Sequence, residues 1–455
     1  MTNVFLSTTT EPVTPITLVR TEDLSTWLES LDPAAAAWAR SRSFEARKGQ
    51  FVWLPDSQGH PGLVAVGWDG ANNLETLGGL ALNLPEGVYR METEVSQLQM
   101  LGWALGAYRF GRYKAAKRDP ARLLLASAED APALENLESA VTLARDLINT
   151  PAADMLPGHL ASEAEQLAEN YGAECTVIVG DELLDRNLCA IHAVGRAAAD
   201  EPRLVDIHWG DPTHPQVVLV GKGVCFDSGG LDIKPASNMR TMKKDMGGAA
   251  QVLGLAQLIM AEALPVRLRV LIPAVENAIA GNAYRPGDVV PTYQGLTVEI
   301  DNTDAEGRVV LCDALALAVE VKPDLILDYA TLTGSARSAV GAEIAAMFSN
   351  SDDVAEGIFR SGEQLDDPVW RLPLHKPYGY KLESKVADTV NSASTPFGGA
   401  ITAALFLQKF VADVPWVHFD IMAFNTRARP GRPEGGEAMA IRAVYGYLQD
   451  RYGQP

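Results

Sequence analysis

The chain of 455 residues is long enough for two or three domains, and its 47% hydrophobic and 21% charged residues are typical of a globular protein. Its formal net charge of -20 disfavours nucleic acid as a partner, because binding to a phosphate backbone needs a basic surface. The sequence contains no apolar run of signal-peptide or membrane-spanning length, so we expect no membrane partner and a cytoplasmic location.

The first part of the chain carries no chemical motif. Short apolar runs alternate with Gly, Pro and Asn up to about residue 125, and helices are expected near Ala34–Arg47 and Thr93–Tyr108. A helical pattern over 130–149 connects this part to the rest. We predict a smaller α/β N-terminal domain over residues 1–140 and a second, larger domain over residues 141–455.

Strand and helix patterns alternate from Pro151 onward, which predicts an α/β domain with a mostly parallel central sheet flanked by helices. The predicted strands are Glu174–Val179, Leu204–Trp209, Gln216–Gly221, Leu268–Ala274, Leu325–Tyr329 and Val417–Ile421. The predicted helices are His159–Tyr171, Met246–Ala261, Val309–Val321 and Ala400–Phe410.

The segment GKGVCFDSGGLDIKP (221–235) follows one of these strands and is interpreted as a glycine-rich loop. It is not a phosphate-binding P-loop, because Gly223 stands where Ser or Thr must follow Lys222. Phe226 occupies a position that must be glycine in both the serine nucleophile elbow and the dinucleotide-binding loop. Phosphate binding by a P-loop, nucleophilic catalysis by a serine and dinucleotide binding are therefore excluded for this loop.

A second segment, VEIDNTDAEGRVVL (298–311), places three charged side chains at alternate positions. In an extended backbone Asp304, Glu306 and Arg308 would point to the same side, and Gly307 would let the chain approach a ligand. A strand is expected to end at Ile300. The acids would then lie at the carboxyl end of a strand, where open α/β sheets bind ligands.

Asp227 and Asp245 join Asp304 and Glu306 to give four carboxylates near the ends of two strands. Oxygen donors of this kind suit Mg²⁺, Mn²⁺ or Zn²⁺, and two such ions roughly 3.5–4 Å apart would relieve the repulsion between the acids. Separate ion pairs, such as Lys243 or Lys244 with Asp245, are the alternative. The four cysteines form no C-x-x-C pair and the seven histidines no H-E-x-x-H, so any metal site must depend on carboxylates.

Four segments closely resemble the leucyl aminopeptidase, or cytosol aminopeptidase, family of dinuclear metallo-exopeptidases. They are VGKGVCFDSGGLDIKP (220–235), MKKDMGGAA (242–250), NTDAEGRVVLCDAL (302–315) and YATLTGSA (329–336). Weaker similarity extends through ARDLINTPAADMLP (144–157), WRLPL (370–374), SKVADTVN (384–391) and FGGAITAALFL (397–407). The resemblance covers about the last two thirds of the chain, and NTDAEGR is its most specific motif.

The resemblance implies two divalent metal ions per subunit, Zn²⁺ or Mn²⁺, with Mg²⁺ or Co²⁺ as alternatives. Asp227 and Glu306 would bridge both ions and Asp304 would complete the first site. Lys222 and Asp245 would complete the second site, where Lys222 must be neutral to act as a ligand.

Two further residues receive catalytic roles from the resemblance. Lys234 would keep its proton and polarise the scissile carbonyl or stabilise the oxyanion. Arg308 would hold a bicarbonate ion that serves as general base, since a guanidinium cannot itself accept a proton.

The implied reaction is the release of single N-terminal amino acids, with leucine-like residues preferred, by a hydroxide that bridges the two metals. The substrates would be peptides with a free N-terminus, and the protein would be a homohexamer. Met242 and Thr331 would line the side-chain pocket, while Leu332 and Gly334 would offer backbone contacts. The sequence departs from the family at Ser335-Ala336 and at DIMAFN (420–425), and these departures put the preferred residue in doubt.

Two other functions stay open at the level of sequence. The same metal centre would also fit a hydrolase of aminoacyl amides, aminoacyl esters or Cys-Gly dipeptides. A scaffold or DNA-binding relative with secondary catalysis is the other alternative, although the acidic charge and the complete set of site residues argue against it.

Overall fold

The chain divides into two units in the computed structural model, which describes residues 4–56, 58–393 and 395–453. One unit consists of Met1–Thr142 with Arg427–Glu434, and the other of Leu143–Thr426 with Gly435–Pro455. No helix within the described residues is both long and apolar enough to cross a membrane.

A six-stranded sheet forms the first unit, in the order β1-β6-β5-β2-β4-β3. Its strands are β1 Phe5–Leu6, β2 Val13–Arg20, β3 Phe51–Pro55, β4 Pro61–Trp68, β5 Val88–Met91 and β6 Arg122–Leu124. All pairs are parallel except β3 with β4. The helices are α1 Leu24–Ser30, α2 Pro33–Ser41, α3 Glu75–Gly78, α4 Leu80–Asn83 and α5 Gln97–Ala107. The two helices predicted for this part correspond to α2 and α5.

A nine-stranded sheet forms the centre of the second unit, in the order β16-β15-β18-β14-β9-β11-β8-β7, with β10 paired to β11. Its strands are β7 Glu174–Val179, β8 Arg203–Trp209, β9 Gln216–Gly221, β10 Gly223–Asp227, β11 Arg267–Asn277, β14 Leu325–Ala330, β15 Ala345–Ser349, β16 Val369–Arg371 and β18 Trp416–Asp420. Strands β12 Val289–Pro291, β13 Thr297–Glu299 and β17 Thr389–Val390 form a small sheet, and β19 Phe424–Asn425 pairs with β20 Gly435–Gly436. Five of the eight pairs in the large sheet are parallel, which confirms the predicted fold class.

Helices cover both faces of this sheet. The helices of this unit are α7 Pro157–Asn170, α8 Glu182–Asp185, α9 Cys189–Gly195, α10 Ala236–Met239, α11 Gly247–Ala261, α12 Glu306–Val319, α13 Gly334–Val340, α14 Asp352–Gln364, α15 Gly399–Gln408 and α16 Ile441–Tyr452, and the boundary between the two units falls within α6 Ala131–Asn149. On one face Val218 and Val220 of β9 share a core cluster with α12. On the other face a Cβ at Gly221 would lie 2.5 Å from Val252 Cγ2, so glycine lets α11 approach β9.

The structure corrects two predictions. The stretch after β9 is not all loop, because Gly223–Asp227 pairs in parallel with the end of β11. The extended backbone predicted through Asp304, Glu306 and Arg308 is also wrong, because α12 begins at Glu306 instead of Val309. Asp304 therefore lies in the turn before α12, and Glu306 lies in the first helical turn of α12.

Candidate metal centre

The predicted site residues lie at the ends of strands and the starts of helices in the second unit. Lys222 lies between β9 and β10, and Asp227 is the last residue of β10. Asp245 belongs to a short 3-10 helix, Met242–Met246, that leads into α11. Asp304 precedes α12 and Glu306 is its first residue. The topology thus brings residues from three separate stretches of sequence together.

Asp227, Asp245 and Glu306 each place a carboxylate oxygen within 4.8 Å of the others, and all three residues are buried. Lys222 Nζ lies between two of them, 2.7 Å from Asp245 Oδ2 and 2.8 Å from Glu306 Oε1. A Cβ at Gly307 would be 2.6 Å from Lys222 Cε, so the glycine of the NTDAEGR motif lets this lysine reach the acids.

Lys234 forms the second cationic contact of the centre. Its Nζ lies 2.6 Å from Asp227 Oδ2 and also pairs with Asp304. Its side chain is 12% exposed, whereas that of Lys222 is 3% exposed. Lys234 is therefore the more accessible of the two ammonium groups.

The pKa values of the acids shift in different directions, because burial and mutual repulsion raise them and the lysines lower them. Burial, followed by the charge of Asp227, raises the pKa of Glu306 to about 8 and that of Asp304 to about 6. Burial also acts to raise the pKa of Asp245, but the charges of Lys222, Lys244 and Lys234 together outweigh it and lower this pKa to about 2. Burial would lower the pKa of both lysines, yet the surrounding carboxylates raise it above the ordinary lysine value.

The donor set fits divalent metal ions. Carboxylate oxygens are hard donors that divalent ions prefer, three of the four acids form one buried group, and Glu306 Oε2 is buried without a hydrogen-bond partner among the described residues. The alternative of separate ion pairs finds limited support. Lys244 Nζ is 3.8 Å from Asp245 Oδ1, and Lys243 Nζ donates to the Asn149 carbonyl at 2.5 Å.

Arg308 lies in the first turn of α12 and is buried. Its Nη1 donates to the Asn391 carbonyl at 2.9 Å, while its Nε is buried with no hydrogen-bond partner among the described residues. Burial lowers the pKa of this guanidinium to about 10, still high enough to keep its charge near neutral pH. A buried N–H donor of this kind suits a small anion.

The four residues predicted to form the substrate pocket differ in their contacts with the acids. Thr331 Oγ1 donates to Asp245 Oδ1 at 2.7 Å, so the structure brings Thr331 to the acidic group itself. The Leu332 N–H donates to Asp420 Oδ1 at 3.1 Å, and Gly334 is the first residue of α13. Met242 is buried at the start of the 3-10 helix that carries Asp245.

Three polar residues that contact the segments with the predicted site residues were not themselves predicted. Asn277 ends β11 and donates to Asp227, Asp420 ends β18 and accepts from Leu332, and Asn391 accepts from the turn before α12. Asn277 and Asp420 are polar residues at the ends of apolar strands. This position is the signal that sequence reasoning overlooked.

The sequence profile of the family described as "Cytosol aminopeptidase family, catalytic domain" matches residues 142–445. The chain belongs to the cytosol aminopeptidase family. The profile "M17 aminopeptidase, N-terminal domain" matches residues 14–126. The chain is therefore a metallo-aminopeptidase, a hydrolase of peptide bonds.

Individual relatives and solved structures are similar to this chain over most of its length. A protein of Syntrophotalea carbinolica named "Probable cytosol aminopeptidase" is 40% identical over 375 residues, which are 78% of this chain and 75% of that protein. The crystal structure of the cytosol aminopeptidase from Coxiella burnetii has a TM-score of 0.96 and 46% identity and covers 99% of both chains. The bottromycin maturation enzyme BotP, in complex with Mn, has a TM-score of 0.87 and 35% identity and covers 97% of this chain and 99% of its own.

Proposed function

We propose that the aminopeptidase activity of this chain depends on two divalent metal ions, Zn²⁺ or Mn²⁺, held by Lys222, Asp227, Asp245, Asp304 and Glu306. The observation that carries this proposal is the buried approach of three carboxylates within 4.8 Å of one another. Mg²⁺ and Co²⁺ are the alternatives for the same oxygen-rich site. Ions bound there would supply Lewis acidity and ionise water at neutral pH.

The two lysines have different tasks in this proposal. Lys222, enclosed by Asp245 and Glu306, must give up its proton before its nitrogen can act as a ligand. Lys234 keeps its proton, which the carboxylates of Asp227 and Asp304 stabilise. Because Lys234 is the more exposed lysine, it is the one that donates a hydrogen bond to the carbonyl oxygen of the substrate as negative charge develops.

Arg308 provides the site for a bicarbonate ion, which we propose as general base. Its unpartnered Nε supplies a buried, charged donor. The Asn391 carbonyl holds the other side of the guanidinium in place at 2.9 Å.

The proposed substrates are peptides with a free N-terminus and a leucine-like first residue. Met242 and Thr331 line the side-chain pocket in this proposal, and Leu332 and Gly334 offer backbone contacts. Thr331 acts on the metal centre through Asp245 as well as on the substrate. The departures at Ser335 and at 420–425 are where we expect the preference to be tuned.

We further propose that residues 1–140 form a variable N-terminal domain and that residues 141–455 form the catalytic domain. We also propose that the protein acts in the cytoplasm and that it assembles as a homohexamer. The word "cytosol" in the names of relatives supports the location. Exposed apolar side chains that would suit subunit contacts are Trp370, Tyr380, Val386 and Phe397, at 54%, 64%, 67% and 79% exposure. Sedimentation velocity tests the assembly.

The decisive experiment measures free leucine released from a leucyl dipeptide and from its N-acetylated form. The protein is dialysed against a chelator and then supplied with Mn²⁺ or Zn²⁺. Activity should return only with metal and only on the peptide with a free amine. Equal cleavage of the acetylated peptide, or full activity after thorough chelation, would overturn the proposal.

A further inference from the structure

Asn277 is a buried amide at the junction of the two acid-bearing segments. It is the last residue of β11, is 0% exposed, and pairs in register with Asp227 at the end of β10. Its Nδ2 donates to Asp227 Oδ1 at 2.8 Å and to the Thr303 carbonyl at 3.0 Å. One side chain therefore links the carboxylate of β10 to the turn that precedes Asp304.

The chemistry of this position selects an amide. Both partners of Nδ2 are oxygen acceptors, so the group between them must offer two N–H donors. Asn277 does this without adding a charge to a centre that already holds four carboxylates. Its own Oδ1 is buried with no hydrogen-bond partner among the described residues, an arrangement that is costly unless the two donors are needed.

We propose that Asn277 is a positioning residue that fixes the rotation of the Asp227 carboxylate for metal binding. With Oδ1 held by Asn277 and by the Gly229 N–H at 2.8 Å, Asp227 turns Oδ2 toward Lys234 Nζ at 2.6 Å. The inference rests on the proposed function, because it takes Asp227 to be a metal ligand. Partners that orient metal ligands typically contribute 10–100-fold to affinity, and we expect about that factor here.

The fold itself depends less on this amide. If Asn277 loses its side chain, the Thr303 carbonyl still accepts from the Tyr284 hydroxyl at 2.6 Å, and Asp227 Oδ1 still accepts from Gly229. The Asn277 backbone carbonyl still accepts from Ser228 Oγ at 2.7 Å. The variant therefore leaves each of these acceptors with a donor, while Asp227 Oδ1 loses one of the two donors that fix the rotation of the carboxylate.

The test is calorimetric titration of the chelator-treated full chain with MnCl₂, for the wild type and Asn277→Ala. We expect the dissociation constant for Mn²⁺ to rise about 10–100-fold at unchanged stoichiometry. The Mn²⁺ concentration that half-activates leucine release should rise by the same factor. A merely structural role would instead reduce the number of sites per chain and leave the dissociation constant unchanged.

Gln251→Ala is the matched control. Gln251 is also 0% exposed, and its amide bonds to the Glu437 carbonyl and the Met439 N–H, away from the acids. Its loss should lower stability without moving the dissociation constant. If Asn277→Ala does not fold, Asn277→Ser, which keeps a short hydroxyl donor, should show a smaller shift in the same direction.

Two outcomes would overturn the inference in distinguishable ways. If the wild type binds Mn²⁺ and the Asn277 variants have dissociation constants within twofold of the wild-type value, the positioning role alone is refuted. Wild-type protein that binds no divalent metal would refute the proposed metal centre and this inference with it.

Discussion

We expect metal binding to this protein to release a proton from Lys222. The pH dependence of the metal affinity should measure this proton release. In the structure Lys222 Nζ lies within 2.8 Å of both Asp245 and Glu306, and these carboxylates hold its pKa above the ordinary lysine value. The nitrogen is therefore an ammonium throughout the neutral range. To act as a ligand it needs its lone pair, so each chain that binds metal must lose this proton.

The magnitude follows from the proton count. One displaced proton makes the apparent affinity about tenfold weaker, or about 1.4 kcal/mol, for each unit by which the pH falls. Below about pH 8 the dependence should become steeper, because Glu306, with a pKa of about 8, begins to hold a second proton that must also leave. Between pH 8.5 and 7.5 we therefore expect at least about a tenfold loss of affinity.

The assay is calorimetric titration with Mn²⁺ at pH 8.5 in buffers of different ionisation enthalpy, which counts the protons released. We expect about one proton per chain, increasing at lower pH. Lys234→Arg keeps a permanent charge at position 234 and should release the same number. Metal binding without proton release would refute the reasoning, and loss of the release in Lys234→Arg would show that Lys234 is the source.

Three further predictions concern single side chains. Glu306→Gln, nearly equal in volume, should abolish leucine release with an unchanged circular dichroism spectrum, and an active variant would contradict its role as a ligand. Thr331→Val removes the hydroxyl donor to Asp245 and should weaken Mn²⁺ binding by about 1.5–3 kcal/mol in titration calorimetry, whereas Thr331→Ser should restore most of it. Burial acts to lower the pKa of His418, but the Asp328 carboxylate, 2.6 Å from Nδ1, outweighs it and raises this pKa. The pair therefore stabilises the fold fully below the ordinary histidine pKa of about 6.5 and loses this contribution as the pH rises through the raised value. Urea unfolding should show a difference between wild type and His418→Gln that shrinks with rising pH, and a constant difference would contradict the assignment.

The strands of the second unit could be predicted because their signal is local. Every residue of Gln216–Gly221 after the glutamine is buried and without a polar side chain, as a central parallel strand requires, and the predicted bounds equal those of β9. The start of α12 could not be predicted in this way. Its N-cap, Ala305, makes no side-chain cap, so the position before Glu306 gives no start signal, and three alternating charged residues match an extended chain equally well.

Strand β10 was not predicted, because the strand that stabilises it is distant in the sequence. The glycines around it are typical of a loop, yet Gly223–Asp227 becomes a strand because β11, about 50 residues later in the chain, offers a parallel edge. The contacts that orient the acids have the same origin. Asn277 meets Asp227 and Thr331 meets Asp245 across gaps of 50 and 86 residues, which no local pattern encodes. The resemblance indicated the acids and Thr331, but it indicated neither the contact of Thr331 with Asp245 nor Asn277.

The arrangement of the lysines explains how such a centre can fold before metal arrives. Four carboxylates converge, and two ammonium groups, Lys222 and Lys234, offset half of their formal charge. In the proposed centre, Lys222 is the more enclosed lysine and lies between two of the acids, so its proton is the one that metal binding would displace. Lys234 is the more exposed, so its charge stays available to a substrate. Exchanging the two positions would place the removable proton where the substrate needs it, and this is why the two lysines are not equivalent.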